Sequence, residues 1–266
     1  MYPKIIAEIG WNHMGDLDLA KKMILAAHEN GADYIKTQIF SIKNLKDGPW
    51  MKDGRKEIYE KAQLNEKKYA ELYKFCLDKK IRFFSSIFNI ESAKVLLSVH
   101  NNLVKIPSME SRNKELLKFS NQNFNKILIS TGTSTQEEII NTQKLIESKK
   151  SSYLHCVSSY PCVPENANLP RINFMKTLSK EFGFSDHTIG IEVSKLSFEY
   201  NITYLEKHFT IDQSLPGRDN KFAILPKDLK NLVEFRNMRN VANKFHGNDY
   251  LQMEKEAREV YSGRWG

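Results

Sequence analysis

His187 and His208 each close a short apolar run, FGFSDH and YLEKH. Two imidazoles brought side by side can hold a divalent metal and leave positions open for water and substrate. The alternative for the same pair is a set of hydrogen-bonded core histidines. Lys36 and Lys105 close two further runs, YIK and LVK. Each suits a phosphate as a compact positive charge or serves as a Schiff-base nucleophile, unless it merely snorkels to the surface. Ser108, Ser130 and Ser158 lie at other run ends as neutral donors that fit phosphate oxygens, although a lone loop serine more often makes local bonds. Glu8 is a candidate general acid or base, an orienter of hydroxyls, or the partner of a lysine. The set serves condensation of a phosphorylated enol with a carbonyl, and it equally permits a Schiff-base aldolase.

Such a constellation needs elements that bring it together. Runs rich in Ile, Val, Phe and Tyr occupy 4–10, 34–40, 82–88, 103–108, 126–131, 152–158, 182–187 and 203–209. They lack clean apolar/polar alternation, as strands buried on both faces do. Helical patterns fill the gaps. Asp16 reads as an N-cap before Ala20, Met23, Ile24 and Ala27, with Gly31 closing the helix. Ser134 and Glu137 read as a capping box, and Pro226 as a first-turn residue before Leu229, Leu232 and Val233. Eight βα units in about 250 residues is the arithmetic of a single-domain α/β fold, the (β/α)8 TIM barrel. The doubly wound alternative usually announces itself with GxGxxG, which GWNHMGD is not.

In a barrel the chemistry collects where strands end. Those positions are Glu8, Lys36, Gln38, Ser85, Ser86, Lys105, Ser108 and Ser130, then His155, Ser158, Ser185, His187, Glu206 and His208. Burying so many unpaired polar groups would cost about 1–3 kcal/mol each, so they belong in one wet pocket. Residues two apart share a face, which groups Lys36 with Gln38, Ser185 with His187 and Glu206 with His208. Asp186 and Lys207 then point away. Segment 41–63 reads as a long charged loop of the kind that forms lids, and 213–221 as turn-rich. Residues 1–246 are assigned to the barrel and 247–266 to a helix with a frayed end.

Composition narrows the function. The chain has 266 residues, 41% hydrophobic, enough for a packed core rather than disorder. It carries 40 basic and 32 acidic residues, a net charge of +8, but the lysines are spread beside Glu and Asp as on solvated helix faces. No basic stripe with interleaved aromatics points to nucleic acid. No apolar stretch long enough for a membrane span occurs, and MYPKIIAEIG does not read as a secretory signal, so a cytoplasmic chain is expected. Cys76, Cys156 and Cys162 have no CxxC spacing and are expected as reduced thiols.

The motifs are also collinear with a known family. AEIGWNHMGDLDLAKKMI (7–24), GADYIKTQIF (31–40), FFSSIFN (83–89), VKIPSMES (104–111), ILISTGTST (127–135), LHCVSSYP (154–161), GFSDHT (183–188) and LEKHFTIDQSLPGRD (205–219) resemble the sialic acid synthase family over nearly the whole chain. That resemblance implies condensation of phosphoenolpyruvate with an N-acyl hexosamine aldehyde, such as N-acetylmannosamine, to a nine-carbon 2-keto acid. It implies Mn²⁺ or Mg²⁺ on His187 and His208, and phosphoenolpyruvate contacts at Lys36, Lys105, Ser108, Ser130 and Ser185. Ser158 stands where some relatives have Asn. Ser85 is expected among the substrate contacts, and Glu8, Gln38, Glu110, Tyr160 and Asp219 line the sugar and metal side. A homodimer is expected too.

The chain departs from the family pattern at Pro107 and Met109, where relatives have glycines, and at Asn220, where a His is common. Ser86–Ile87 replaces Thr-Pro or Ser-Pro. The small C-terminal antifreeze-like domain of the family is expected to be absent. A separate antifreeze-like protein would then be a partner, or the barrel would be a partner-dependent subunit of a surface-glycan pathway.

Overall fold

The computed structural model describes residues 2–266. Eight parallel strands close into a barrel in sequential order: β1 (Lys4–Gly10), β2 (Tyr34–Ile39), β3 (Phe83–Ile87), β4 (Val104–Ile106), β5 (Ile127–Ser130), β6 (Ser151–Cys156), β7 (Phe182–Asp186) and β8 (Tyr204–His208). Every expected strand is present, most a residue or two shorter than the apolar run. Helices cross between them: α1 (Leu17–Glu29), α2 (Arg55–Ala62), α3 (Glu66–Asp78), α4 (Ile90–Leu97), α5 (Lys114–Asn123), α6 (Gln136–Gln143), α7 (Ile172–Leu178), α8 (Glu192–Ser197) and α9 (Pro226–Ala242).

Local sequence fixes the helix ends. Asp16 accepts from the backbone N–H groups of Asp18 and Leu19, and Ala20, Met23, Ile24 and Ala27 form the buried stripe of α1. Gly31 closes it with φ +88°, a conformation open to glycine. The capping box of α6 is one residue later than the sequence suggested. Thr135 accepts from Glu138 N–H, and the Glu138 side chain accepts from Thr135 N–H. Segment 41–63 is not a bare loop, since it contains two short 3-10 turns and α2. Tyr59 of α2 packs 5.2 Å from the Trp11 ring and 6.1 Å from that of Trp50. These contacts tie the segment to the rim beside β1. At the far end, residues 241–266 are exposed throughout, including α10 (Lys255–Tyr261).

The inside of the barrel is layered. Ile6, Phe84, Leu128, Leu154 and Tyr204 pack as an apolar plug, with Tyr34 and Leu103 against it. Two residues further along each strand the lining turns polar: Glu8, Lys36, Ser86, Lys105, Ser130, Cys156, Ser185 and Glu206, all buried. The larger apolar core lies between the strands and the helices. Outward residues such as Ile5, Ile35, Val104 and Ile127 meet there the buried faces of α1, α3, α5 and α9. The plug seals the barrel below, so the polar layer opens only toward the strand C-termini, as is usual for this fold.

Candidate active site

Four buried charges dominate the polar layer. Glu8 and Lys36 face each other in register on β1 and β2, with Lys36 Nζ 2.5 Å from Glu8 Oε2. Lys105 Nζ donates to both oxygens of Glu206 at 2.9 and 2.8 Å. Glu206 Oε1 also lies 3.9 Å from Lys36 Nζ, which joins the two pairs into one row. Lys36 donates to Ser86 Oγ at 2.7 Å, and Gln38 Nε2 to Glu8 Oε1 at 2.8 Å. Removing one member would strand a buried charge, at about 3–5 kcal/mol.

Burial and neighbours set the protonation in opposite ways. Burial raises Glu8 to about 7, with Glu206 pushing the same way against the pull of Lys36. For Glu206 burial works upward too, but Lys105 and Lys36 outweigh it and hold the carboxyl below its ordinary range. Burial, resisted by Glu206, lowers Lys105. The layer therefore contains one carboxyl poised near neutrality and one held ionised, the kind of split that separates acid–base roles.

Beside the row lies a cradle of small donors. Ser130 Oγ and Ser185 Oγ share a hydrogen bond of 2.8 Å. Gly132 N–H donates to Ser108 Oγ at 3.0 Å. A Cβ at Gly132 would stand 2.3 Å from Ser158 Oγ, 2.8 Å from Ser108 Oγ and 3.2 Å from Cys156 Sγ. Hydroxyls from two loops and the Cys156 thiol therefore converge on space that only a glycine leaves open. Lysines on one side and hydroxyls on the other make a site for a compact anion.

The rim carries the imidazoles. The His187 and His208 ring centroids are 5.5 Å apart. His187 Nδ1 is 2.8 Å from Val157 O, which can only accept, so Nδ1 carries a proton and Nε2 is the nitrogen free to ligate when the ring is neutral. Burial, then His187 and the lysines, hold His208 well below its ordinary range, which keeps its ring neutral. His208 Nδ1 is buried without a hydrogen-bond partner, and Asp219 Oδ2 stands 3.8 Å away, beyond bonding reach. Burial raises Asp219 to about 6. The Tyr160 ring covers His187 at 4.2 Å, and Arg218 lies over Tyr160 at 5.7 Å. Among the described residues no group of three or more His, Cys, Asp or Glu side chains is gathered to hold a metal. The donor set fits a cation that takes two imidazoles from the protein and the rest of its shell from water and substrate.

Most of the expected site residues meet here: Glu8, Lys36, Gln38, Lys105, Ser108, Ser130, Ser158, Tyr160, Ser185, His187, His208 and Asp219. Ser85 does not. Its hydroxyl donates to Thr37 O on the outer side of the sheet, and Ser86 takes the inward place with Lys36. Which of two adjacent serines faces inward follows from the parity of Phe84, whose ring belongs to the plug. His155 also points outward, bonding Ala167 O and stacking on Phe184. Glu110 lies on the turn after β4, where its carboxylate accepts from Asn113, the cap of α5. Sequence reasoning placed Glu206 on the pocket face with His208 but gave it no role, and it singled out neither Cys156 nor Gly132. Strand parity could have placed Cys156, but the crowding around Gly132 had no signal along the chain.

Met109 is 60% exposed, so its replacement of a glycine leaves the cradle untouched. Asn220 accepts from Thr210 Oγ1 and donates to Pro216 O, bracing the loop that carries Asp219.

The chain is similar to known proteins in sequence and in fold. The NeuB family model matches residues 23–248. The chain is 34% identical over 245 residues to N,N'-diacetyllegionaminic acid synthase of Campylobacter jejuni, covering 86% of this chain and 73% of that one. It is 32% identical over 247 residues to pseudaminic acid synthase of Helicobacter pylori, covering 87% and 73%. The crystal structure of N-acetylneuraminic acid (sialic acid) synthetase from Leptospira borgpetersenii superposes with a TM-score of 0.85 at 29% identity, covering 99% of this chain and 93% of that one. The chain belongs to the NeuB family and is an enzyme of the sialic acid synthase type.

Proposed function

We propose that the enzyme condenses phosphoenolpyruvate with an open-chain N-acyl amino sugar, giving a nine-carbon 2-keto acid and phosphate. The observation that carries this is the lysine–hydroxyl cradle lying directly below the His187–His208 imidazole pair. It suits an anion bound within reach of a carbonyl. Lys36 and Lys105 take the phosphate and carboxylate charges, and Ser108, Ser130, Ser158 and Ser185 complete the anion's hydrogen bonds.

His187 and His208 would hold a divalent cation, Mn²⁺ or Mg²⁺, whose chemistry is to polarise the sugar carbonyl. C3 of the enol then forms a bond to the aldehyde carbon, whose oxygen gains a proton and becomes a hydroxyl. Glu8, poised near neutrality beside Gln38, supplies or relays that proton. Water adds at C2, and phosphate leaves as the keto group forms. Tyr160, Asp219 and Arg218 stand at the rim, where the sugar's hydroxyl and N-acyl groups would lie. From the family resemblance we further propose a cytoplasmic homodimer. Mass spectrometry of a mixture with N-acetylmannosamine tests the reaction. The product should weigh the sugar plus the pyruvyl unit without phosphate; absence of such a product with every N-acyl aldose tried would remove it.

One observation favours a second reading. Burial lowers Lys105, which is how a Schiff-base lysine is prepared. Borohydride trapping in the presence of pyruvate or sugar separates the two, because only the aldolase leaves a reduced adduct on Lys105 or Lys36.

A further inference from the structure

Behind the two imidazoles, on the outer face of the barrel, lies a second buried ion pair that the reaction does not touch. Asp186 and Lys207 directly precede His187 and His208, and they are register partners on β7 and β8. Lys207 Nζ is 2.9 Å from Asp186 Oδ2 and donates to Thr188 O at 2.5 Å. Asp186 Oδ1 accepts from both the N–H and the hydroxyl of Thr188 at 2.8 Å, and Oδ2 also accepts from the Ser194 hydroxyl. Asp186 is fully buried and Lys207 is 2% exposed.

The bonds enclose His187. Asp186 holds the residue after it, Lys207 holds the same residue's carbonyl, and Cys162 N–H donates to His187 O at 2.9 Å. The ring itself is fixed by Val157 O. Because Lys207 is the neighbour of His208, the clamp also locks the register of the two strands at the level of both imidazoles. A buried ion pair is poor value as stabilisation when apolar side chains would pack as well. It earns a place where two strands must keep one relative position.

We infer that the Asp186–Lys207 pair is a positioning device that sets the spacing of His187 and His208 for a divalent cation. This rests on the proposed metal role of the imidazoles. Both residues act through the histidines and touch no substrate.

The test is binding of Mn²⁺ and of inorganic phosphate to the metal-free protein by calorimetry, with thermal melts, for Lys207→Met, Asp186→Asn and the double variant. Lys207→Met leaves a buried carboxylate unpaired and is expected to melt earlier. The double variant removes both charges and should recover most of that stability; it is the variant to read if Lys207→Met does not fold. The inference predicts Mn²⁺ affinity weakened by about 10-fold or more in all folded variants, the double included, with phosphate affinity within about two-fold of the parent. A double variant that regains both stability and Mn²⁺ affinity would overturn it, showing a role in folding alone. Unchanged Mn²⁺ affinity in folded single variants would overturn it as well. If the parent binds phosphate but no Mn²⁺, the metal role of the imidazoles itself falls, and the inference with it.

Discussion

Gly132→Ala adds one methyl group to the centre of the cradle, and its effect can be worked from distances. The new carbon would stand 2.3 Å from Ser158 Oγ and 2.8 Å from Ser108 Oγ, against an ordinary contact of 3.4–4 Å. Ser158 must retreat by roughly an ångström, and both hydroxyls turn away from the space they now share. Overpacking of this kind costs about 1–3 kcal/mol of stability. Each hydroxyl lost to a charged ligand is worth about 1.5–3 kcal/mol, so losing both weakens phosphate or phosphoenolpyruvate by about 3–6 kcal/mol, or roughly 10²–10⁴-fold. Calorimetric titration with inorganic phosphate reads this directly, and circular dichroism confirms the fold. A folded Gly132→Ala protein that binds phosphate within about three-fold of the parent would refute the placement of the anion.

Other expectations follow from the charge row and the rim. Lys105→Met leaves Glu206 with only the 3.9 Å contact to Lys36 and should lose about 3–5 kcal/mol in urea unfolding. Adding Glu206→Gln should restore stability without restoring turnover, whereas recovery of activity would show that Lys105 binds no substrate. His187→Ala should abolish metal-dependent turnover in a folded protein; full activity would end the metal role. Burial raises Glu8 from 4.5 to about 7, so the folded state favours the protonated carboxyl. The stability this contributes is fully present below pH 4.5 and is lost as pH rises through 7. Melts of the parent against Glu8→Gln should converge or cross over that window, by at most about 3 kcal/mol, and a pH-independent difference would contradict the raised value.

The barrel was legible because the strands are buried on both faces, which writes eight runs rich in Ile, Val, Phe and Tyr, without clean apolar/polar alternation, into the chain. The site was legible because those runs end in polar residues that a core strand does not tolerate. What escaped depended on pairing across the barrel. Glu206 shares its face with His208 by simple alternation, yet nothing in YLEKH says that its partner is Lys105, 101 residues away. Ser85 and Ser86 differ only in parity, and parity needs the one residue known to point inward. Helix α2 was missed because its sequence, RKEIYEKA, buries only Ala62, so it carries no apolar stripe. Asp186 and Lys207 were placed outside the pocket correctly, but their pairing needed the register of β7 against β8.

The proposed reaction joins an anion in the cradle to a sugar carbonyl at the imidazole pair. Phosphate release from phosphoenolpyruvate, measured with Mn²⁺ and N-acetylmannosamine or related N-acyl aldoses and with each component omitted in turn, tests it most directly. Release should require enzyme, sugar and metal together. Release that proceeds equally well without the sugar would contradict it.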